Sequence, residues 1–333
     1  MSEGLPPLPV PRPTFSVSPI PKNPLGEERY IRSAACLIIG DEILNGKTHD
    51  INSNYFAKYC FEHGIDLKRV EVIADDEDQI IEASRRMVNN YDFVVTSGGV
   101  GPTHDDITYI ALAKAFGQPL AHHPETLARM AQMVKHRTWI STQTPQQRAA
   151  TERMAEFPAG GEIIFVAKDI WVPVVRLEGK LCIFPGIPSL FQKMLNALTP
   201  FLPLPPLAER PTRIQVFTEQ PESMIAPYLT TLQARLKPHG IQVGSYPVLG
   251  QGVFVSLIGR DRPSTPAASP PQANKEDAGN AGPPRIWLAD VAREVEQEVG
   301  GQVVSEKEVA ERKGLYQRSV SVHVHLFSVD ISS

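Results

Sequence analysis

Thr96-Ser-Gly-Gly-Val-Gly-Pro-Thr-His-Asp-Asp-Ile-Thr108 follows an apolar run of strand length, Tyr91-Asp-Phe-Val-Val95. It precedes Ile107, Ile110, Ala111, Lys114 and Ala115, which recur at helical spacing until Gly117 offers a stop. The glycines therefore sit in a strand-to-helix turn, where the backbone needs positive φ or its N–H groups must approach a ligand closely. A helix N-terminus aimed at such a turn makes an anion site suited to phosphate. Asp105 and Asp106 stand at the same helix start and would repel a phosphate unless a divalent cation bridges them. A Gly-Gly-x-Gly turn alone also serves as a tight βα connection, with Asp105 as a helix cap. No Gly-Lys-Ser/Thr follows, so the turn is not a Walker loop, nor is it the dinucleotide Gly-x-Gly-x-x-Gly.

Upstream, Ser33-Ala-Ala-Cys-Leu-Ile-Ile39 reads as a buried parallel strand ended by Gly40-Asp-Glu42. A helix is expected over Ile51–His63, capped by Asp50 and stopped by Gly64, followed by a strand over Leu67–Ile73. Asp75-Asp76-Glu77-Asp78 then leads a helix over Gln79–Asn90. This β-α-β-α-β order predicts an α/β fold, a doubly wound and mostly parallel sheet in three layers. Ligands of such sheets bind at the carboxyl ends of the strands. Asp41, Asp76 and Asp106 share that rim. Further on, Glu125–Val134 is an amphipathic helix, and Thr142–Ala155, Ile163–Val166, Trp171–Leu177 and Lys180–Phe184 supply a helix and three strands. Pro185-Gly-Ile-Pro188 opens a helix over Ser189–Leu198. His122 and His123 are adjacent, point apart and lack a supporting Cys/His set, which argues against a metal pair.

The 333 residues carry a net charge of −4 and a pI near 6.2, which gives no electrostatic footprint for nucleic acid or an anionic membrane. No apolar run approaches the ~18 residues of a membrane span. Cys36, Cys60 and Cys182 form no metal spacing and fit buried thiols in a reducing, cytoplasmic setting. Residues 1–30, with eight prolines before Leu25, read as a disordered Pro-rich segment.

Taken whole, the thirteen-residue stretch resembles the signature of the molybdopterin-binding (MoaB/Mog-like) domain family. The branch it is most similar to includes the N-terminal domain of eukaryotic FAD synthase and the CinA-like proteins. Ile39-Gly-Asp-Glu-Ile-Leu-Asn-Gly46, Asp50-Ile-Asn-Ser-Asn54, Asp75-Asp76 with Ile80, Phe184-Pro-Gly-Ile-Pro188 and Gly244-Ser-Tyr-Pro247 match that branch in order, over roughly residues 33 to 305. Gly160 through Val174 diverges from its pattern. The resemblance implies a molybdopterin-binding-domain-like fold over 31–200 that commonly forms homo-oligomers. It also implies a site in which Gly98, Gly99, Gly101, Pro102 and Thr103 cradle phosphate, with Gly40, Asn52, Ser97, Pro185, Gly186 and Pro188 lining the pocket. Asp106 and Asp76 are the expected catalytic carboxylates, and Asp41, Asp105 and Asp106 the expected metal ligands, for Mg²⁺, Mn²⁺ or Co²⁺. The activity implied is metal-dependent hydrolysis of a nucleotide diphosphate such as FAD or ADP-ribose. The alternatives are molybdopterin binding or adenylyl transfer in molybdenum cofactor synthesis, and a non-catalytic nucleotide-binding module. The substrate is in every case a small nucleotide or pterin. FAD synthesis and nucleotide deamidation are not expected, because no residues remain after Gly314 for the domains that perform them.

Pro200–Pro206 reads as a linker to a second, smaller α+β domain over 207–305. Its strands and helices follow a β-α-β-β-α-β order, that of a split-βαβ sandwich. Residues 262–284 have the composition of a disordered insertion, and residues 315–333 form a tail without an assigned element or function.

Overall fold

The computed structural model describes residues 13–135, 137–260 and 287–312, which divide into two units at Pro205 and Pro206. The 262–284 insertion and the 315–333 tail lie outside the described residues.

The first unit begins with β1 (Ser33–Ile39), the short helix α1 (Asp41–Leu44), α2 (Asn52–Glu62), β2 (Asp66–Ile73), α3 (Glu77–Asn90), β3 (Phe93–Ser97) and α4 (Thr108–Ala115). It continues through β4 (Leu120–His122), α5 (Pro124–Val134), α6 (Pro145–Arg153), β5 (Glu156–Pro158), β6 (Glu162–Ile164), β7 (Val174–Leu177), β8 (Leu181–Phe184) and α7 (Pro188–Leu198). Six strands form one sheet in the order β2-β1-β3-β8-β7-β6. The first four run parallel, and β7 and β6 add antiparallel at one edge. Successive strand residues face opposite sides. Cys36 and Ile38 accordingly pack with Phe56 and Cys60 of α2 and Phe191 and Leu195 of α7. Leu37 and Ile39 pack instead with Ile80 and Met87 of α3 and Leu112 of α4. Two helical layers thus sandwich the sheet, the three-layer arrangement expected. The chain leaves β1 toward β2 on one side and returns to β3 on the other. That switch point lies between the carboxyl ends of β1 and β3.

Several local expectations change. Val166 lies beyond its strand, which ends at Ile164, and the strand expected from Trp171 begins only at Val174. The helix expected from Thr142 starts at Pro145, where Thr144 and Gln147 form a reciprocal capping box. A 3-10 turn, Thr138–Thr142, precedes it. The ribbon of β4 and β5 was not legible, because three-residue strands carry no periodicity.

The expected disorder of residues 1–30 does not hold from residue 13 onward. Phe15 is buried, its N–H donates to the Lys168 carbonyl, and the Ser18 N–H donates to the Phe165 carbonyl. The buried Arg129 guanidinium lies over the Phe165 ring and donates to the Ser16 carbonyl. A buried guanidinium needs acceptors, and this segment supplies one. The expected linker is also shorter, since Phe201 is buried in the core of the first unit.

The second unit comprises β9 (Thr212–Thr218), α8 (Glu222–Leu236), β10 (Gln242–Val248), β11 (Gly252–Gly259), α9 (Leu288–Val299) and β12 (Gln302–Val304). Its antiparallel sheet has the order β10-β11-β9-β12. Val216, Val255 and Leu257 face α8 and α9, while Phe217 and Phe254 face the other way with Val304 and Val309. Pro247 sits on the edge strand β10, where a missing N–H costs no ladder bond. Residues 306–312 are helical, an element absent from the sequence reading. Ser305 and Glu308 cap it reciprocally.

Candidate functional site at the strand-to-helix turn

The turn after β3 is built on contacts only glycine allows. Gly98 has φ +115°, and a Cβ there would lie 2.0 Å from the Ile39 carbonyl oxygen at the end of β1. Gly99 has φ +63°, and its Cβ would lie 2.3 Å from the Thr108 hydroxyl. The two strand ends are therefore in contact through backbone alone at the switch point. The Gly98 N–H donates to the Phe184 carbonyl at 3.2 Å, and the Thr108 hydroxyl donates to the Gly98 carbonyl at 3.0 Å.

The helix start behaves differently from the expectation. α4 begins at Thr108, and the Thr108 N–H turns back to the Gly99 carbonyl at 3.0 Å. Its first donor therefore braces the turn and is not offered to a ligand. The open donors are in the turn itself. Among the described residues no acceptor meets the N–H groups of Gly99 and Val100. Successive open amides in a left-handed turn form a small anion-binding concavity.

Asp106 shapes that concavity. Its Oδ1 accepts the Gly101 N–H at 2.6 Å, and its Oδ2 accepts the Thr103 N–H at 2.8 Å and the Thr103 hydroxyl at 2.5 Å. Both oxygens are thereby engaged in folding the turn. The Arg153 guanidinium donates to the Thr103 carbonyl and ties α6 to the same turn. Pro102 in the same turn is exposed.

The Pro185-Gly186 loop backs the turn. A Cβ on Gly186 would come within 3.4 Å of Gly98 Cα. Asn52, at the start of α2, donates through Nδ2 to the Gly186 carbonyl at 2.8 Å and to the Ser97 hydroxyl at 2.9 Å. Those two acceptors fix its orientation, and its buried Oδ1 has no partner. Asp50 holds the helix start by accepting the Asn52 and Ser53 N–H groups. Pro188 is the first residue of α7 and has no donor to offer. Gly40 ends β1 by donating its N–H to the Ile73 carbonyl.

The acids divide in a way the sequence did not reveal. Asp76, expected to be catalytic, caps α3 by accepting the Gln79 N–H at 3.0 Å and is exposed. Its neighbour Asp75 turns to the rim. Asp75 Oδ2 accepts the Asp41 N–H at 3.0 Å, and Oδ1 would lie 3.3 Å from a Cβ on Gly99. Burial, with the negative charges of Asp41, Glu42 and Asp105, holds the Asp75 carboxyl above its ordinary range against the pull of the Asp41 N–H. Asp105 goes the other way: the Thr103 hydroxyl and its own N–H lower it. Strand alternation could not choose between neighbours in a loop, and only the Asp41 contact separates them.

The metal set expected at Asp41, Asp105 and Asp106 does not assemble. Among the described residues no three His, Cys, Asp or Glu side chains gather as a metal site. Both Asp106 oxygens accept hydrogen bonds that shape the turn. His123 caps α5, its Nδ1 meeting the Thr126 hydroxyl at 2.8 Å, and burial lowers its pKa. All three cysteines are free and buried.

A hollow of about 490 Å³ adjoins the turn, lined by Pro102, Trp139, Gln143, Gln147 and Thr151 among others. Of these the sequence reading singled out only Pro102.

Comparison with known proteins bears on the same region. A family model described as a probable molybdopterin binding domain matches residues 35–204. A probable FAD synthase of Caenorhabditis elegans is 32% identical over 247 residues, covering 68% of this chain and 46% of that protein. The chain thus spans just under half the length of that relative. A CinA-like protein of Escherichia coli is 31% identical over 219 residues, covering 62% of this chain and 51% of the relative. The solved CinA protein from Thermoplasma acidophilum is 31% identical with a TM-score of 0.44, covering 51% of this chain and 96% of that one.

Proposed function

The chain belongs to the molybdopterin-binding domain family, and on that premise we propose that its first unit hydrolyses a nucleotide diphosphate such as FAD or ADP-ribose. The observation that carries this is the pair of open N–H groups on Gly99 and Val100 beside the Asp75 carboxyl. Two successive open amides would hold a phosphate oxygen and stabilise charge as it develops on the leaving phosphate. Asp75 would orient and deprotonate the attacking water. A carboxyl held above its ordinary range is a better base near neutral pH than a fully solvated one. The water oxygen would then attack phosphorus, the anhydride bond would break, and two monophosphates would leave.

A divalent cation enters this reading as part of the substrate, carried in on the diphosphate. Among the described residues no three acids, histidines or cysteines gather to hold a resident ion. The family description favours a second reading, in which the same two amides hold the phosphate of a molybdopterin without hydrolysis.

The experiment incubates the purified protein with FAD, ADP-ribose and NAD in the presence of Mg²⁺, Mn²⁺ or Co²⁺ and follows monophosphate release by chromatography. Cleavage by the wild type, reduced about 10²- to 10⁴-fold in Asp75→Asn with nucleotide binding retained, is the expected result. Full activity in Asp75→Asn would remove that residue from the chemistry. Failure to cleave any of the three would leave molybdopterin binding as the reading to test.

A further inference from the structure

We infer that the hollow beside the turn is the subsite for the planar heteroaromatic ring of the ligand, with Trp139 as its stacking platform. The inference rests on the proposed nucleotide chemistry of the turn and names the part of the ligand that the turn does not hold.

Three observations converge. First, the volume of about 490 Å³ falls in the range of small-molecule pockets, about 300–1,000 Å³. Second, no described residue lining the hollow is charged. A second phosphate or a zwitterion has nothing to pair with there, so the group it accepts is neutral. Third, Trp139 is 47% exposed within it. A half-exposed indole face offers the contact that fused rings make with aromatic side chains.

The surrounding hydrogen bonds dictate which edge such a ring must present. Gln147 Oε1 accepts the Thr144 N–H at 2.9 Å as part of the α6 cap, and among the described residues the Gln147 Nε2 donors meet no acceptor. Gln143 Nε2 donates to the Thr151 hydroxyl at 3.0 Å, which leaves Gln143 Oε1 as an acceptor. One amide donor and one amide acceptor match a ring edge carrying an acceptor next to an N–H. The amino-pyrimidine edge of adenine and the imide edge of a flavin both have that character. The hollow is anchored to the phosphate turn at two points, by Pro102 in its wall and by Arg153 of α6 on the Thr103 carbonyl. The hollow of about 810 Å³ in the second unit is lined by Glu219 and Glu222 together with Arg312, a mixed-charge lining unlike the neutral one beside the turn.

The test measures kcat and KM of the wild type, Trp139→Ala, Trp139→Phe and Gln147→Ala on FAD, on ADP-ribose and on methyl diphosphate, which lacks a ring. Trp139→Ala should raise KM for the ring-bearing substrates roughly tenfold or more with kcat little changed. Trp139→Phe should recover most of that loss, and methyl diphosphate should be indifferent to all three variants. A larger effect of Gln147→Ala on one of the two ring-bearing substrates identifies which ring the subsite reads. Unchanged KM in Trp139→Ala, or an equal loss on methyl diphosphate, overturns the inference. If the wild type cleaves no diphosphate, the hydrolase reading fails while the subsite is still tested by calorimetric titration of AMP and FMN. Binding of either one, weakened at least tenfold by Trp139→Ala, upholds the subsite. Equal binding to both proteins, or no binding at millimolar nucleotide, overturns it.

Discussion

Asp75 and Asp106 both meet glycines of the same turn, Gly99 and Gly101, yet their surroundings give them opposite tasks. Asp106 accepts three hydrogen bonds with two oxygens, so Asp106→Asn replaces one acceptor by an NH₂ that faces existing donors. The turn should loosen, and the affinity for any phosphate ligand should fall about tenfold or more, measured by titration with AMP. An unaltered affinity would mean that the turn keeps its shape without the carboxylate. Asp75 is held above its ordinary range by burial first and then by its acidic neighbours. Between its unfolded and folded pKa values the native state binds more protons than the unfolded one, so stability falls as pH rises through that window. Asp75→Asn should therefore raise the thermal midpoint near pH 7.5, by on the order of 1 °C. The gain should shrink as pH falls through the folded value and vanish only below the ordinary aspartate value of about 3.9, where Asp75 is neutral in both states. A variant less stable than wild type at pH 7.5 would contradict the electrostatic account. The glycines of the site were legible in the sequence, because their need for positive φ is intrinsic to the residue type. The division of labour between Asp75 and Asp76 was not, because it depends on where the Asp41 N–H lies.

At the scale of elements, α3 is fixed to the edge strand β2 by a charged cluster. Arg86 donates to both oxygens of Glu71 at 2.9 and 2.8 Å and to Glu82 at 2.7 Å, while Arg69 meets Glu71 from the other side. The Arg86 guanidinium is the main reason the Glu71 carboxyl lies below the usual glutamate range. A lowered folded pKa contributes stability that is present above the ordinary glutamate value of about 4.3 and is lost as pH falls through the folded one. Arg86→Ala should cost about 1 kcal/mol at pH 7, read by urea unfolding, since the pair is two-pronged but partly exposed. The difference from wild type should shrink below pH 4, and a difference independent of pH would assign the loss to packing. The unbroken apolar run of β1 and the helical spacing of α3 made this layering readable in advance. Elements of three residues, such as β4 and β5, and the segment around Phe15 were not readable. Their positions are set by partners distant in sequence, Ala121 against Phe157 and Phe15 against Lys168.

For the molecule as a whole, the hydrophobic clusters fall into separate cores that follow the division near Pro205. Leu37, fully buried in β1, packs in a cluster of the first unit, and Leu257, fully buried in β11, in a cluster of the second. No helix among the described residues is long and apolar enough to cross a membrane. Two cores that share no cluster need not melt together, because cooperativity requires contacts that both units lose at once. Leu37→Ala and Leu257→Ala each remove a buried side chain at a cost of about 3 kcal/mol. Calorimetry should resolve two transitions. Leu37→Ala should lower one by roughly 6–12 °C, and Leu257→Ala the other by more than ~10 °C, because the second unit is smaller. Phosphate ligands should then stabilise only the transition that Leu37→Ala moves, since Gly98, Gly99 and Asp106 all lie in that unit. A single transition shifted by both substitutions would show the two cores to be energetically one, and ligand stabilisation of the Leu257-sensitive transition would move the binding site out of the first unit.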